Sequence, residues 1–293
     1  VAIPAVKIAD GVISTSELIN NTLNNANTAL GEDAFQRIIK DAHQANIMFL
    51  IQQANLRASE LKSAGMKDFH NQVAEVNAAE NKKISNIEIS AYASPDGATD
   101  LNTGLAEKRE ANTNKYLSKE LKKAKVDAVV DAKYTAEDWE GFQELVSKSN
   151  IQDKELILRV LSMYQDPEQR EREIKNISSV YKNLADDILP QLRRSRLTLN
   201  YEIIGKSDEE IAKLADADAS KLSIEEILYA ATLTNDNAKK AAIYTKATQQ
   251  FPNDYRAYNN LGALAFQAGD VTKAESFLSK AASLKAAPEV SMN

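Results

Sequence analysis

The sequence predicts an α+β protein with an all-helical tail, and three observations predict it. Between Ile47 and Tyr134, strand-like alternation takes turns with helical periodicity in the order β-α-β-α-β. Alternation returns at Leu197, Leu199, Tyr201 and Ile203 after a long helical interruption. Beyond Ser207 every periodic stretch is helical. The 293 residues suit two domains at roughly 100–200 residues per domain. A hydrophobic share of 43% supplies a sizeable core.

Val1 to Ile8 alternates loosely and reads as extended, with Asp10-Gly11 as a turn pair. Thr15 or Ser16 starts a helical stretch, and Asn20 to Asn27 reads as weak helix or loop. Ala34, Phe35, Ile38 and Ile39 are helically spaced. Ile47-Met48-Phe49-Leu50-Ile51 is a strand, followed by a loop to Arg57. Ser59 opens a helix carrying Met66, Phe69, Val73 and Val76, which Lys82-Lys83 ends. Ile87, Ile89 and Ala91 alternate with Glu88, Ser90 and Tyr92 in a half-buried strand. Ser94-Pro95-Asp96-Gly97 is a turn, and Leu101 to Ala124 a helix with Leu105, Leu117 and Leu121 on its apolar side. Val126 to Tyr134 is again a strand.

Thr135-Ala136-Glu137-Asp138 resembles an N-cap with an acidic first turn. Trp139, Phe142, Leu145 and Val146 follow on one face. A helix over Asp153 to Tyr164 places Leu156, Val160 and Tyr164 four apart. Another starts at Asp166-Pro167-Glu168 and runs through Ile174, Ile177, Tyr181, Leu184 and Ile188; its charge-dense run reads as a solvated face. Arg193 to Arg196 precedes the last strand, which Gly205 ends. Ser207-Asp208-Glu209-Glu210 is a capping box. We therefore expect a lead-in over residues 1–46, a mixed domain over 47–205 with a helical insertion at 135–190, and a helical region over 207–293.

Several chemistries are excluded. Cysteine is absent, which removes disulfides, thiolate metal sites and cysteine nucleophiles. The only histidines, His43 and His70, sit in no metal-binding pattern and read as surface or helix-packing residues. Asp216 and Asp218 lack the glycine and distal glutamate of a calcium loop. A net charge of −6 makes nucleic acid a poor partner. No catalytic motif is present, so we expect no enzyme, no metal and no cofactor. No apolar run reaches the ~20 residues that cross a bilayer.

Two segments resemble known families. Tyr258, Leu261, Gly262, Ala265, Ala274, Leu278 and Ala281 are spaced as in a tetratricopeptide repeat, whose large–small alternation lets antiparallel helices nest. Ile224, Ile227, Leu228, Ala231, Tyr244, Ala247 and Pro252 form a weaker copy. Glu289-Val290-Ser291-Met292-Asn293 resembles Arg256-Ala257-Tyr258-Asn259-Asn260, as if a third repeat begins and is cut.

Residues 47–205 resemble the OmpA-like domain of bacterial cell envelopes. That family shows a strand, T-D-x-x-G, then N-x-x-L-S-x-x-R-A and a helix ending Y-L. Here Ala91 to Gly97 is followed by Asn102, Leu105, Ala106, Arg109 and Tyr116-Leu117, with no gap. Phe49, Ala54 and Leu56 resemble the first strand and its loop, and Arg194 to Leu199 the start of the last strand. The resemblance implies a β-α-β-α-β(-α)-β sandwich that binds peptidoglycan, an Asp taking the ammonium and an Arg the carboxylate of a diaminopimelate side chain. The Arg position is Arg109, but the Asp position is Ser94, and two further acid positions are Leu50 and Gln52.

The implied ligand residues are thus Tyr92, Ser94, Asp96, Gly97, Asn102, Leu105 and Arg109. A structural reading stands beside the ligand reading for most of them. Arg109 would pair with Asp96 or Asp100, Asn102 would cap its helix, Gly97 would supply a positive φ, and Tyr92 would pack on an edge strand. The expected function is a non-enzymatic anchor or scaffold, holding peptidoglycan through the first domain and a protein through the repeats. The alternative is an adaptor that has kept the fold and lost the glycan. The combined motifs resemble outer-membrane-associated proteins of Bacteroides-type bacteria, which implies an exported, periplasmic or outer-membrane location.

Overall fold

The computed structural model describes residues 28–151, 153–177 and 183–293. The expected strand at Val1–Ile8, the Asp10-Gly11 turn, the helix start at Thr15 or Ser16, the Asn20–Asn27 stretch and Tyr181 lie outside the described residues. The chain is mixed α/β and divides into two units, one spanning Ile38–Gly205 and the other joining residues 28–37 to Lys206–Asn293.

The first unit is built on a four-stranded mixed sheet in the order β1-β4-β2-β3. Its elements are β1 (Ile38–Met48), α1 (Ala58–Leu61), α2 (Ala64–Ala78), β2 (Lys82–Tyr92), α3 (Thr99–Ala124) and β3 (Val130–Thr135). There follow α4 (Trp139–Lys148), α5 (Lys154–Met163), α6 (Pro167–Asn176), a π-helical turn (Leu184–Ile188), α7 (Leu189–Leu192) and β4 (Arg194–Ile204). Strand β4 runs antiparallel to both β1 and β2, while β2 and β3 are parallel and joined through α3. Ile87, Ile89, Leu197 and Leu199 point one way from the central strands and are fully buried. They meet Met66, Phe69, Val73 and Val76 of α2 and Leu117 and Leu121 of α3 in one core. The helices between β3 and β4 bury a separate cluster around Phe142, Val146, Ile157 and Leu192.

Several boundaries differ from the sequence expectation. The first strand begins at Ile38, not Ile47, and Leu50 and Ile51 are exposed loop residues. Most of β1's first half is solvated on both faces, so no alternation marks it; its pairing with β4 does. The Ala34–Ile39 spacing forms no helix. The helix expected from Ser59 is split: Ser63 accepts the Met66 N–H and starts α2 afresh. Lys82-Lys83 open β2 rather than end a helix, and Arg194 to Arg196 lie inside β4. Strand β3 starts at Val130, and α3 at Thr99. Asp138, not Thr135, caps α4. Leu156 faces solvent while Ile157 and Leu161 are buried. The helix from Pro167 stops at Asn176 instead of reaching Ile188.

The second unit contains α8 (Asp208–Ala217), α9 (Ile224–Thr232), α10 (Asn237–Gln250), α11 (Tyr255–Gln267), α12 (Val271–Leu284) and α13 (Pro288–Met292), with a 3₁₀ turn at Ala219–Lys221. Capping boxes at Ser207/Glu210 and Ser223/Glu226 start α8 and α9, and Asp236, Asp254 and Asp270 cap the next three. From α8 to α13 helices adjacent in sequence pack together, as short connections dictate. At Gly262 a Cβ would lie 2.6 Å from Leu278 Cγ, so only glycine permits this approach of α11 and α12.

Two outcomes test this packing. Phe69 is fully buried beneath the sheet, so Phe69→Ala should cost about 3–5 kcal/mol in urea unfolding. His70 Nε2 lies 2.9 Å from Tyr116 Oη between α2 and α3. Burial holds its imidazole below the ordinary value of 6.5, with Glu120 opposing. Below that ordinary value the unfolded chain binds a proton that the folded chain refuses, so stability falls as pH drops. The urea midpoint should fall more steeply between about pH 7 and pH 5 for wild type than for His70→Gln.

Candidate functional site

The end of β2, the turn after it and the first turns of α3 bring together Ser94, Asp96, Gly97, Asn102, Leu105 and Arg109 around one small cavity. The chain reverses at Gly97, whose φ of +141° disfavours a side chain. Helix α3 then starts with Ala98 at its N-cap, which offers no side-chain bond. Asn102 is therefore not the helix cap. Its side-chain amide reaches back to the Gly97 carbonyl at 3.3 Å and fixes the turn. Leu105 is half-buried in the wall.

Arg109 lies one turn further and is only 1% exposed. It pairs with neither Asp96 nor Asp100. Its Nη1 donates to the Tyr92 carbonyl at 2.7 Å, Nε to the Gln53 carbonyl at 2.9 Å, and Nη2 to the Leu50 carbonyl at 3.4 Å. The guanidinium also sits 5.0 Å from the Phe49 ring centre. Burial, reinforced by Arg193, lowers the Arg109 pKa to about 10 against the pull of Asp96, so it stays charged at neutral pH. Asn112 adds a bond to the Ala54 carbonyl at 2.9 Å. Together these side chains of α3 pin the loop after β1.

The acid at this site has another partner. Arg193 donates Nη2 to Asp96 at 3.1 Å and Nε to Ser94 Oγ at 3.2 Å, and the Ser94 hydroxyl donates to Asp96. The Gly97 N–H donates to Glu171 Oε1 of α6 at 2.7 Å. The remaining cavity measures about 60 Å³. Ligand pockets run to about 300–1,000 Å³, so this space suits waters rather than an amino-acid side chain.

Tyr92 does not join the group. Its ring lies outside this cavity, with Arg194 and Arg196 at 5.2 and 5.9 Å from its centre. It lines a larger cavity of about 490 Å³ together with Lys133, Glu137, Trp139, Glu144 and Arg196. Trp139 is committed there: Phe142 meets it edge-on at 5.6 Å, Arg170 lies at 5.7 Å, and its indole N–H donates to Glu137. Among the described residues, no cluster of three or more His, Cys, Asp or Glu could hold a metal, and no helix is long and apolar enough to cross a membrane.

Sequence reasoning missed Arg193 and Glu171. Arg193 stood in the Arg-rich run before β4, where nothing distinguished it from its neighbours. Glu171 stood in a charge run taken for a solvated face, and only the path of α6 brings it to Gly97.

Replacing Arg109 by Met takes a charged donor from three part-buried carbonyls, of which only that of Leu50 keeps the Gln53 N–H as well. We expect a loss of about 3 kcal/mol or more in urea unfolding; an arginine kept only for a ligand would cost nothing. A scan against protein-family models gives no match, and no curated relative aligns with the chain.

Proposed function

We propose that this chain is a non-enzymatic scaffold of the cell envelope. Its sheet unit reads as an OmpA-like domain that has kept the fold and given up peptidoglycan. Its helical unit reads as tetratricopeptide repeats that hold an extended protein segment. The observation that carries this is the state of Arg109: the one basic group the motif preserves is spent on main-chain carbonyls. The acid beside it is spent on Arg193.

The expectation of peptidoglycan anchoring retains the support of the motif spacing. Against it stand Ser94 at the family's Asp position and a cavity of about 60 Å³. A zwitterion would have to displace Arg193 from Asp96 and Glu171 from Gly97 before meeting either charge. An exported location, facing the periplasm or on the outer membrane, rests on the resemblance alone.

Co-sedimentation with purified sacculi tests the reading. The wild-type chain should stay in the supernatant at all sacculus concentrations. Saturable retention that a diaminopimelate-containing muropeptide competes away would overturn it and restore the anchor.

A further inference from the structure

The helical unit already holds a peptide, and it is the chain's own. Residues 28–36 carry no regular secondary structure, yet Ala29, Gly31 and Asp33 turn inward while Leu30, Glu32 and Ala34 face solvent. This is the alternation of an extended strand. Asn260 Oδ1 accepts the Gly31 N–H at 2.7 Å, and its Nδ2 donates to the Gly31 carbonyl at 3.0 Å. Asn293 treats Ala29 the same way, at 2.7 and 2.6 Å, and Asn259 adds a second donor to the Ala29 carbonyl. Asn293 and Asn260 are equivalent positions of the repeat noted in the sequence, so successive repeats grip alternate residues of one strand.

The side chains of the segment add selectivity. Gly31 is buried, and a Cβ there would lie 2.8–2.9 Å from Arg256 Cγ and Cβ. Arg256 cannot retreat, because Glu225 and Asp254 hold its guanidinium in ion pairs. Glu225 also accepts the Ala34 N–H. Phe35 stacks on Tyr229 with ring centres 4.5 Å apart. Amides that bond both main-chain groups of a residue read backbone, not sequence; the absent Cβ at residue 31 and the ring at 35 supply the sequence.

We propose that this groove is an exchangeable peptide site whose resident ligand is the segment Thr28–Gln36, bound in cis. It takes an extended peptide with glycine over Arg256 and an aromatic residue four positions on. A protein partner of the repeats competes with this segment, so the resident peptide is autoinhibitory. The inference rests on the reading of the helical unit as a protein-binding module and is independent of the peptidoglycan question.

The probe is a labelled synthetic peptide of residues 28–36, titrated into the full chain by fluorescence anisotropy. Gly31→Val should expel the resident segment and bind the peptide at least tenfold more tightly than wild type. Asn260→Ala added to Gly31→Val should abolish the gain, and a peptide carrying Val at the Gly31 position should not bind. Equal binding to wild type and Gly31→Val, or none to either, overturns the proposal. Amide exchange gives a check independent of that variant. The Gly31 amide should be protected in wild type and exchange at least tenfold faster in Asn260→Ala, while α11 and α12 amides stay protected. An unprotected Gly31 amide in wild type overturns residence in cis and leaves the sacculus result untouched.

Discussion

A guanidinium carried into a protein interior must find acceptors there, because leaving its donors bare costs more than the surrounding packing returns. Arg109 meets this demand with three carbonyls, two from the loop after β1 and one from the end of β2. The Leu50 and Gln53 carbonyls fall in the loop where the pairing of β1 has stopped, whereas Tyr92 is still paired with Thr135. One side chain thus ties that loop to the end of β2 and fixes where it lies over the cavity. The Phe49 ring on one side keeps water from competing.

The rest of the cleft follows from that placement. With Arg109 turned toward carbonyls, Asp96 needs a different cation, and the chain delivers Arg193 just before β4 begins. Ser94 suits this arrangement better than Asp would, since its hydroxyl donates to Asp96 and accepts from Arg193. A second carboxylate at that position would crowd two negative charges around one guanidinium. The inserted helices then close the remaining side, with Glu171 on the Gly97 N–H. Ser94 and the inserted helices thus act in the same direction: both tie the groups around this cavity into internal contacts.

Much of the fold was legible because its signals are local. Alternation of Ile87, Ile89 and Ala91, the helical spacing of Met66, Phe69, Val73 and Val76, and the capping box at Ser207 each follow from neighbouring residues alone. The first half of β1 was not legible, since solvent bathes both of its faces and only hydrogen bonds to β4 make it a strand. The site divides the same way. The resemblance implied that Ser94, Asp96, Gly97, Asn102, Leu105 and Arg109 belong together, and they share a cavity. What each one bonds was hidden, because Gln53, Glu171 and Arg193 approach from segments far away in sequence. Tyr92 was misplaced by a rule that should have excluded it: side chains alternate along a strand, and those of Ala91 and Ala93 occupy the other face.

In both units, polar side chains that a motif would offer to a ligand are bonded to the chain's own backbone. The two cases differ in how reversible that is. Two of the carbonyls held by Arg109 belong to a loop anchored at Phe49 in the main core and at Leu56 beside it, and the third ends β2, so releasing them means opening the fold. The strand held by Asn259, Asn260 and Asn293 belongs to no sheet and buries little apolar surface beyond Phe35, while Leu30 stands in solvent. Its hold is mainly hydrogen bonds, each worth about 0.5–1.5 kcal/mol net. An incoming peptide that offers the same N–H and C=O groups would replace these bonds one for one. Under the proposed reading, retention of polar side chains against the chain's own backbone would end one binding function and regulate the other, and the difference lies in what anchors the backbone.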